Sequence, residues 1–261
     1  MESRLPHLTY CVTLLPAAPA PCRHWLAALV GLVLGVGITA LLAGVIILAI
    51  QRSGADEQPQ TPPTAGDPFS ERSNCLPFSE EHCLVSRDAW HAAPSGRVAT
   101  LATPVDTVIV QQTTTHTCAT REQCISATRK IQEFHMGKEN NWSDIGYNFL
   151  VGGDGLVYSG RGWDIVGAHT KTWNNKSIGV GVIGSFSEVA AFPWQLSAMK
   201  GLLAWGVSKG KLTADYGVMG ASQVQDTDSP GQRLMQDLRA WKHWRNYTYT
   251  TSTLHTAHGG T

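Results

Sequence analysis

The hydrophobic and polar positions divide the chain into a long uncharged segment near its start and a later part built of short periodic segments. Trp25–Ile50 contains no charged residue, whereas beyond position 100 apolar residues recur at strand or helix spacing. The pattern predicts strands at Val105–Val110, Asn148–Val151, Leu156–Tyr158 and Ser177–Phe186, and helices at Arg121–Met136, Trp194–Val207 and Leu234–Trp244. Strands that alternate with helices predict an α/β domain, with a mixed central β-sheet flanked by about three helices.

The predicted strand at Ser177–Phe186 is rich in glycine. Gly179, Gly181 and Gly184 leave little side chain on one face of it. A glycine inside a strand marks a place where another group comes close to the backbone. We therefore expect such a close approach here.

The uncharged segment Trp25–Ile50 is long enough to cross a membrane. At 1.5 Å per residue it would span a hydrocarbon layer of roughly 30 Å. The apolar part of a cleaved signal peptide is shorter, about 7–15 residues. The sequence therefore predicts one retained N-terminal transmembrane helix.

The charges on either side of this segment predict its orientation. Arg4 and Arg23 precede it, while Arg52 is soon followed by Asp56 and Glu57. Because positive charge favours the cytosolic side, we expect a single-pass type II protein of the cell membrane with its C-terminal domain extracellular. The predicted organisation is a cytosolic leader at 1–24, a transmembrane helix at 25–50, a flexible stalk at 51–74, a folded domain at 75–246 and a disordered tail at 247–261.

Composition limits the partners. Lys and Arg together number 20, as do Asp and Glu, so the formal net charge is zero. Without a basic run, a nucleic-acid partner is not expected.

Cysteines and glycosylation motifs agree with an extracellular domain. An even number of cysteines on the proposed outer side is typical of disulfides in an oxidising compartment; they are Cys75, Cys83, Cys118 and Cys124. Four cysteines allow three pairings, and the sequence does not choose among them. Three Asn-x-Ser/Thr motifs predict glycosylation at Asn141, Asn175 and Asn246.

Several short motifs resemble one known family. The chain resembles the peptidoglycan recognition proteins at Trp142–Phe149, Gly152–Gly155, Tyr158–Trp163 and Gly167–Thr170. The resemblance implies a fold like that of N-acetylmuramoyl-L-alanine amidase, with a groove for a glycan-linked peptide, so that residues 75–246 would be a peptidoglycan recognition domain. It also implies a Cys118–Cys124 disulfide, which would leave Cys75 and Cys83 as the second pair.

The resemblance also implies a lost metal site. Catalytic members of that family hold one zinc ion with two histidines and a cysteine, and the matching positions here are Gln111, Ala221 and Ser229. A glutamine amide and a neutral hydroxyl are poor zinc ligands, and alanine offers none. We therefore expect no cofactor and no amidase activity. His116 is the one candidate for a displaced ligand, although a solvated loop histidine is the favoured interpretation.

The matching motifs also imply ligand-binding positions. They are Thr113, Tyr147, Arg161, Trp163, His169, Thr170, Asn175 and Ser229. Three of them have a structural interpretation as well. Trp163 could belong to the core, Arg161 could pair within the fold, and His169 could be a hydrogen-bonded structural histidine.

Three functions remain open at this point. The first is a membrane-anchored, non-catalytic receptor or co-receptor that binds bacterial peptidoglycan or muropeptides in innate immunity. The second is a regulatory or decoy receptor that pairs with other recognition domains and binds peptidoglycan weakly or not at all. The third is an active zinc amidase, which the altered ligand set disfavours. The spacing Gly31-x-x-x-Gly35 in the membrane segment lets two helices approach closely. We expect a homo- or hetero-dimer with other peptidoglycan recognition proteins.

Overall fold

A computed structural model of the protein describes residues 75–248. The predicted leader, transmembrane helix and stalk lie outside the described residues, as does the tail from position 249. Within 75–248, no helix is both long and apolar enough to span a bilayer.

The described residues form one seven-stranded sheet in which parallel and antiparallel pairs mix, as predicted. The strands are β1 (Cys75–Pro77), β2 (Cys83–Val85), β3 (Val105–Gln112), β4 (Phe149–Val151), β5 (Val157–Ser159), β6 (Ile178–Val182) and β7 (Leu212–Gly220). Their spatial order is β1-β2-β5-β4-β6-β3-β7. The neighbouring strands β4, β6, β3 and β7 pair in parallel, whereas β1–β2 and β4–β5 are antiparallel.

Within residues 75–248, three α-helices accompany the sheet, which confirms the number predicted for the folded domain. They are α1 (Arg121–Met136), α2 (Pro193–Ser208) and α3 (Gln232–Arg239). The hydroxyl of Thr120 caps α1 by accepting the Gln123 N–H. Proline stands at the first position of α2, where its missing N–H leaves no bond unmade.

Two predicted elements extend several residues beyond the observed ones. The strand predicted to reach Phe186 ends at Val182, because Gly184 adopts a φ of 147° and donates its N–H to Thr113 Oγ1 instead of a neighbouring strand. The last helix was predicted to reach Trp244 but ends at Arg239. The chain beyond it pairs with β7, where Val218 donates to the His243 carbonyl oxygen and accepts from the Arg245 N–H. This pairing covers the outer edge of β7 and is incompatible with helix at residues 243–245.

The two faces of the sheet are packed differently. On one face, Val180 and Val182 of β6 share a core with Leu202 of α2 and Leu238 of α3. On the other face, Leu150 of β4 packs in a second cluster with Ile131 of α1 and Tyr147. Since side chains alternate along a strand, Gly179 and Gly181 lie on the α1 face.

Both disulfides that the resemblance implied are present. Cys75–Cys83 joins β1 to β2, and Cys118–Cys124 joins the loop after β3 to the first turn of α1. The Cα–Cα distances are 5.7 Å and 5.1 Å, within the usual range for this bond.

Candidate ligand-binding groove

Gln111 lies near the end of β3 on the α1 face, where its side-chain amide donates both of its hydrogens. Nε2 is 2.6 Å from the His169 carbonyl oxygen and 2.9 Å from Thr170 Oγ1. Because a carbonyl oxygen only accepts, this contact determines which end of the amide is the nitrogen. No donor among residues 75–248 reaches Gln111 Oε1. The open side of the amide is therefore an acceptor.

The other two altered positions also make contacts of their own. Ser229 Oγ accepts the Gln112 N–H at 3.0 Å, which ties the loop before α3 to β3. Ala221 is fully buried at the end of β7 and packs with Ile109 and Met219. Ser229 thus ties its loop to β3 by a hydrogen bond, while Ala221 contributes apolar packing beside that strand.

This set of residues does not fit a zinc ion. Zinc requires thiolate, imidazole or carboxylate donors in tetrahedral geometry. Gln111 turns its nitrogen to the protein, Ala221 has no donor atom, and the Ser229 oxygen accepts a backbone hydrogen. Across residues 75–248, no three His, Cys, Asp or Glu side chains are grouped as a metal site, and His116 is exposed in its loop.

A groove of about 540 Å³ opens over Gln111 and Ser229. Its walls are the end of β3 with the following loop, the last turns of α1, and the loop that precedes α3. The lining residues are Gln111, Gln112, Thr113, Thr114, Thr115, Lys130, Ile131, Phe134, His135, Tyr147, Thr227 and Ser229. A neighbouring cavity of about 720 Å³ shares Thr115 and Lys130 and continues along α1. Together they form an elongated concave surface.

Tyr147 and His135 give the groove a neutral polar wall. Burial raises the pKa of Tyr147 to about 12, so its hydroxyl keeps its proton. Burial, and then the positive charge of Arg161, lower the pKa of His135 to about 4. His135 Nδ1 accepts the Gly146 N–H at 3.0 Å, so the neutral ring carries its hydrogen on Nε2.

The loop that presents His169 and Thr170 is held on two sides. Gln111 binds it from the sheet, and Asn174 Oδ1 accepts both the His169 and the Thr170 N–H groups, at 2.9 Å and 2.8 Å. Burial, followed by the charge of Arg161, lowers the pKa of His169 to about 3, so this ring is neutral too.

The predicted ligand-binding residues fall into three groups. Thr113, Tyr147 and Ser229 line the groove. His169 and Thr170 are buried beside Gln111 and do not belong to the lining. The third group, Arg161, Trp163 and Asn175, lies outside the lining as well.

Each member of the third group has another environment. Arg161 donates to the backbone oxygens of Ile145 and Val166 at 2.7 Å and 2.8 Å. Trp163 packs in the core with its ring centre 4.5 Å from that of Phe149. Asn175 is exposed, as are the other two predicted glycosylation sites, Asn141 and Asn246.

Sequence reasoning missed several groove residues. Lys130, Phe134 and His135 of α1 line the groove, and Asn174 holds the His169 loop. The spacing of four between Lys130 and Phe134 places both on one helix face and was a usable signal. Phe134 is 62% exposed, an unusual position for a large apolar side chain that packs in no core.

Comparison with known proteins agrees with the fold. The N-acetylmuramoyl-L-alanine amidase family matches residues 101–232, which is half of the chain and includes Gln111, Ala221 and Ser229. A curated peptidoglycan recognition protein of Trichoplusia ni is 43% identical over 161 residues, which cover 62% of this chain and 88% of that protein.

The chain belongs to the peptidoglycan recognition protein family.

Solved structures of the family resemble the described domain. Bumblebee PGRP-SA is 43% identical with a TM-score of 0.61, and the match covers 63% of this chain and 98% of that one. A chain from the ectodomain complex of PGRP-LCa and PGRP-LCx, solved with bound tracheal cytotoxin, is 41% identical with a TM-score of 0.61. That match covers 62% of this chain and 98% of its counterpart.

Proposed function

We propose that this protein is a membrane-anchored, non-catalytic receptor or co-receptor that binds bacterial muropeptides in innate immunity. The observation that carries the proposal is the hydrogen bonding of the Gln111 side-chain amide. Both of its amide hydrogens are bound to the His169 loop. A residue at a former ligand position has thereby become part of the groove wall, while the groove itself is kept.

The groove supports binding of a peptide joined to a sugar. Its wall offers hydroxyls and amides, together with apolar surface from Ile131 and Phe134. Such a combination of apolar surface with a few convergent polar groups is typical of ligand sites. Relatives of the chain are named for peptidoglycan recognition, and a solved structure of such relatives contains bound tracheal cytotoxin.

Membrane anchoring rests on the sequence. The uncharged segment Trp25–Ile50 and the basic residues before it support a type II anchor, with the groove on the extracellular side. In this arrangement the groove domain is tethered to the cell surface and binds its ligand outside the cell.

A binding and hydrolysis experiment tests the proposal. Titration of the full chain in detergent with a defined N-acetylmuramoyl peptide should give saturable binding and no released stem peptide. Tyr147→Phe removes one groove hydroxyl and should weaken binding up to about tenfold, the effect of one hydrogen bond. Tyr216→Phe is the matched control, because Tyr216 lies on β7 outside the groove and stacks on His243. Release of stem peptide by the wild-type chain would refute the non-catalytic assignment.

A second candidate is a regulatory protein that works by pairing with another recognition domain. It is supported by the 41% identity to a chain of an ectodomain complex. Under this alternative the chain alone would bind muropeptide weakly or not at all, but it would co-sediment with a second family ectodomain. The titration above, repeated with and without such an ectodomain, separates the two.

A further inference from the structure

The turn that follows α1 places a glycosylation motif beside the groove. The Asn141 N–H donates to the Gly137 carbonyl oxygen at 2.7 Å, and the Trp142 N–H donates to the His135 carbonyl oxygen at 3.0 Å. These bonds fold the chain back against the last turn of α1. Phe134 and His135 in that turn line the groove. Asn141 is therefore held at the rim of the groove.

The turn explains why an asparagine stands at position 141. Its φ is 50°, in the left-handed region that asparagine adopts more readily than most residues. The turn requires neither the Ser143 that completes the motif nor the aromatic side chains around it. Because Asn141 is exposed, it can carry a sugar without any polar group being buried.

Two exposed aromatic side chains flank this motif. Phe134 is 62% exposed and Trp142 is 37% exposed. The His135 ring neighbours both, with its centre 4.6 Å from that of Trp142 and 5.9 Å from that of Phe134. We call these three side chains the aromatic rim. Neighbouring apolar side chains that stay exposed mark a surface that another group covers.

A glycan is the covering group that this position itself supplies. The apolar C–H face of a pyranose ring stacks on aromatic rings, while its hydroxyls stay in water. A sugar attached to Asn141 is held next to Trp142 by covalent bonds, so its packing there pays no cost of association. Each ring-to-ring distance in the aromatic rim is comparable to the width of one sugar ring. The first sugars can therefore extend from Trp142 towards Phe134.

We propose that Asn141 carries an N-linked glycan whose first sugars pack on Phe134 and Trp142 and narrow the groove at this rim. The effect on ligands rests on the proposed function, because it concerns access to the same groove. A muropeptide that uses the Phe134 surface must first displace the sugar. The glycan thereby lowers the affinity, and a chain without it binds more tightly.

A set of thermal melts tests the packing without any ligand. Peptide mass mapping of the full chain from secretory cells should first find a glycan on Asn141. Ser143→Ala removes the motif but keeps the asparagine in its turn. It should lower the melting temperature by about 2–4 °C, the effect of roughly one aromatic contact in a domain of this size.

Two comparisons assign that shift to the sugar and to its partner. When the chain is produced without glycosylation, Ser143→Ala and the wild-type chain should melt at the same temperature. In glycosylated chains that also carry Phe134→Ala, the effect of Ser143→Ala should be smaller, because the sugar has already lost one of the rings on which it packs.

Titration of the glycosylated full chain in detergent with an N-acetylmuramoyl peptide measures the effect on the groove. Ser143→Ala should bind about two- to tenfold more tightly than the wild-type chain, the range that one aromatic contact covers. Thr248→Ala is the matched control, because it removes the motif at Asn246. Tyr247 of that motif lies 5.7 Å from Trp173 between ring centres and does not line the groove. Thr248→Ala should therefore leave the affinity unchanged.

The outcomes separate this inference from the proposed function. An unmodified Asn141, or equal melting temperatures of the glycosylated wild-type and Ser143→Ala chains, would overturn the inference and leave the aromatic rim open to another partner. If both chains bind the muropeptide equally, the narrowing of the groove is wrong while the receptor function stands. If neither binds it, the proposed function fails, whereas the melts still decide whether the glycan packs on the aromatic rim.

Discussion

The imidazole ring of His169 occupies the space that a side chain at Gly179 would need. A Cβ at position 179 would lie 2.8 Å from His169 Nδ1 and closer still to two ring carbons. Two residues along β6, a Cβ at Gly181 would lie 2.9 Å from the Tyr147 ring. The expected close approach to the backbone of this strand is therefore confirmed, and the two glycines make room for two rings of the site.

Substitution of Gly179 should destabilise the domain. In Gly179→Ala the new Cβ would collide with the buried His169 ring, whose loop is held by Gln111 and Asn174. Either the ring must move or the strand must shift. Overpacking of this kind lowers the free energy of unfolding by about 1–3 kcal/mol. Urea denaturation would measure the change. Gly96→Ala is the comparison, because its new Cβ would meet Ser143 Cβ at 3.3 Å in a loop and should have a smaller effect.

The two buried histidines predict a loss of stability in mild acid. Their pKa values lie near 4 for His135 and near 3 for His169 in the folded domain, against 6.5 for a free histidine. The unfolded chain therefore binds more protons, and stability present above pH 6.5 is lost as the pH falls from about 6.5 towards 4. Each pKa unit corresponds to about 1.4 kcal/mol, so the loss should amount to a few kcal/mol.

Chemical denaturation at pH 7.5 and at pH 5 measures this effect. His135→Gln should reduce the difference between the two pH values, because one buried site for a proton is removed. His116→Gln should leave the difference unchanged, since His116 is exposed. Equal stability of the wild-type domain at the two pH values would contradict the expectation.

Restoring the three zinc ligands should make stability depend on zinc. The triple variant carries Gln111→His, Ala221→His and Ser229→Cys. It loses the hydrogen bonds of Gln111 to the His169 loop. It also introduces an imidazole ring at position 221, where the native alanine is fully buried. Without zinc it should melt below the wild-type domain. A metal that binds only the folded state raises the melting temperature.

Thermal melts with and without zinc, together with elemental analysis, check this expectation. Zinc should raise the melting temperature of the triple variant and leave that of the wild-type chain unchanged. Each single variant should bind no stoichiometric zinc, because one donor cannot replace a tetrahedral set. One zinc ion per wild-type chain would show that the present residues hold the metal after all.

The anchor at residues 25–50 predicts a definite topology in cells. A tag at the N-terminus should be protected from added protease on intact cells, whereas the groove domain should be accessible. The exposed Asn141, Asn175 and Asn246 should carry glycans that a glycosidase removes. Substitution of all three by Gln is the control for the mass shift. A protease-sensitive N-terminal tag would contradict the type II orientation.

Local patterns in the sequence predicted much of the fold. Periodicity placed α1 at its observed bounds, because the apolar spacing and the Thr120 cap act within a few residues. The ends of β6 and α3 were wrong because distant partners set them. Gly184 turns towards Thr113, and residue 244 pairs with Val218.

The sequence by itself determined that Gln111, Ala221 and Ser229 offer no set of zinc donors, since donor atoms belong to residue types. What these residues bind instead was decided only by the tertiary structure. Gln111 binds a carbonyl oxygen and a hydroxyl 58 and 59 residues away, and Ser229 binds the Gln112 N–H 117 residues away. No local pattern encodes such partners, because they meet only when β3, the His169 loop and the loop before α3 pack together. For the same reason the helix pattern alone did not place His135 in the groove wall.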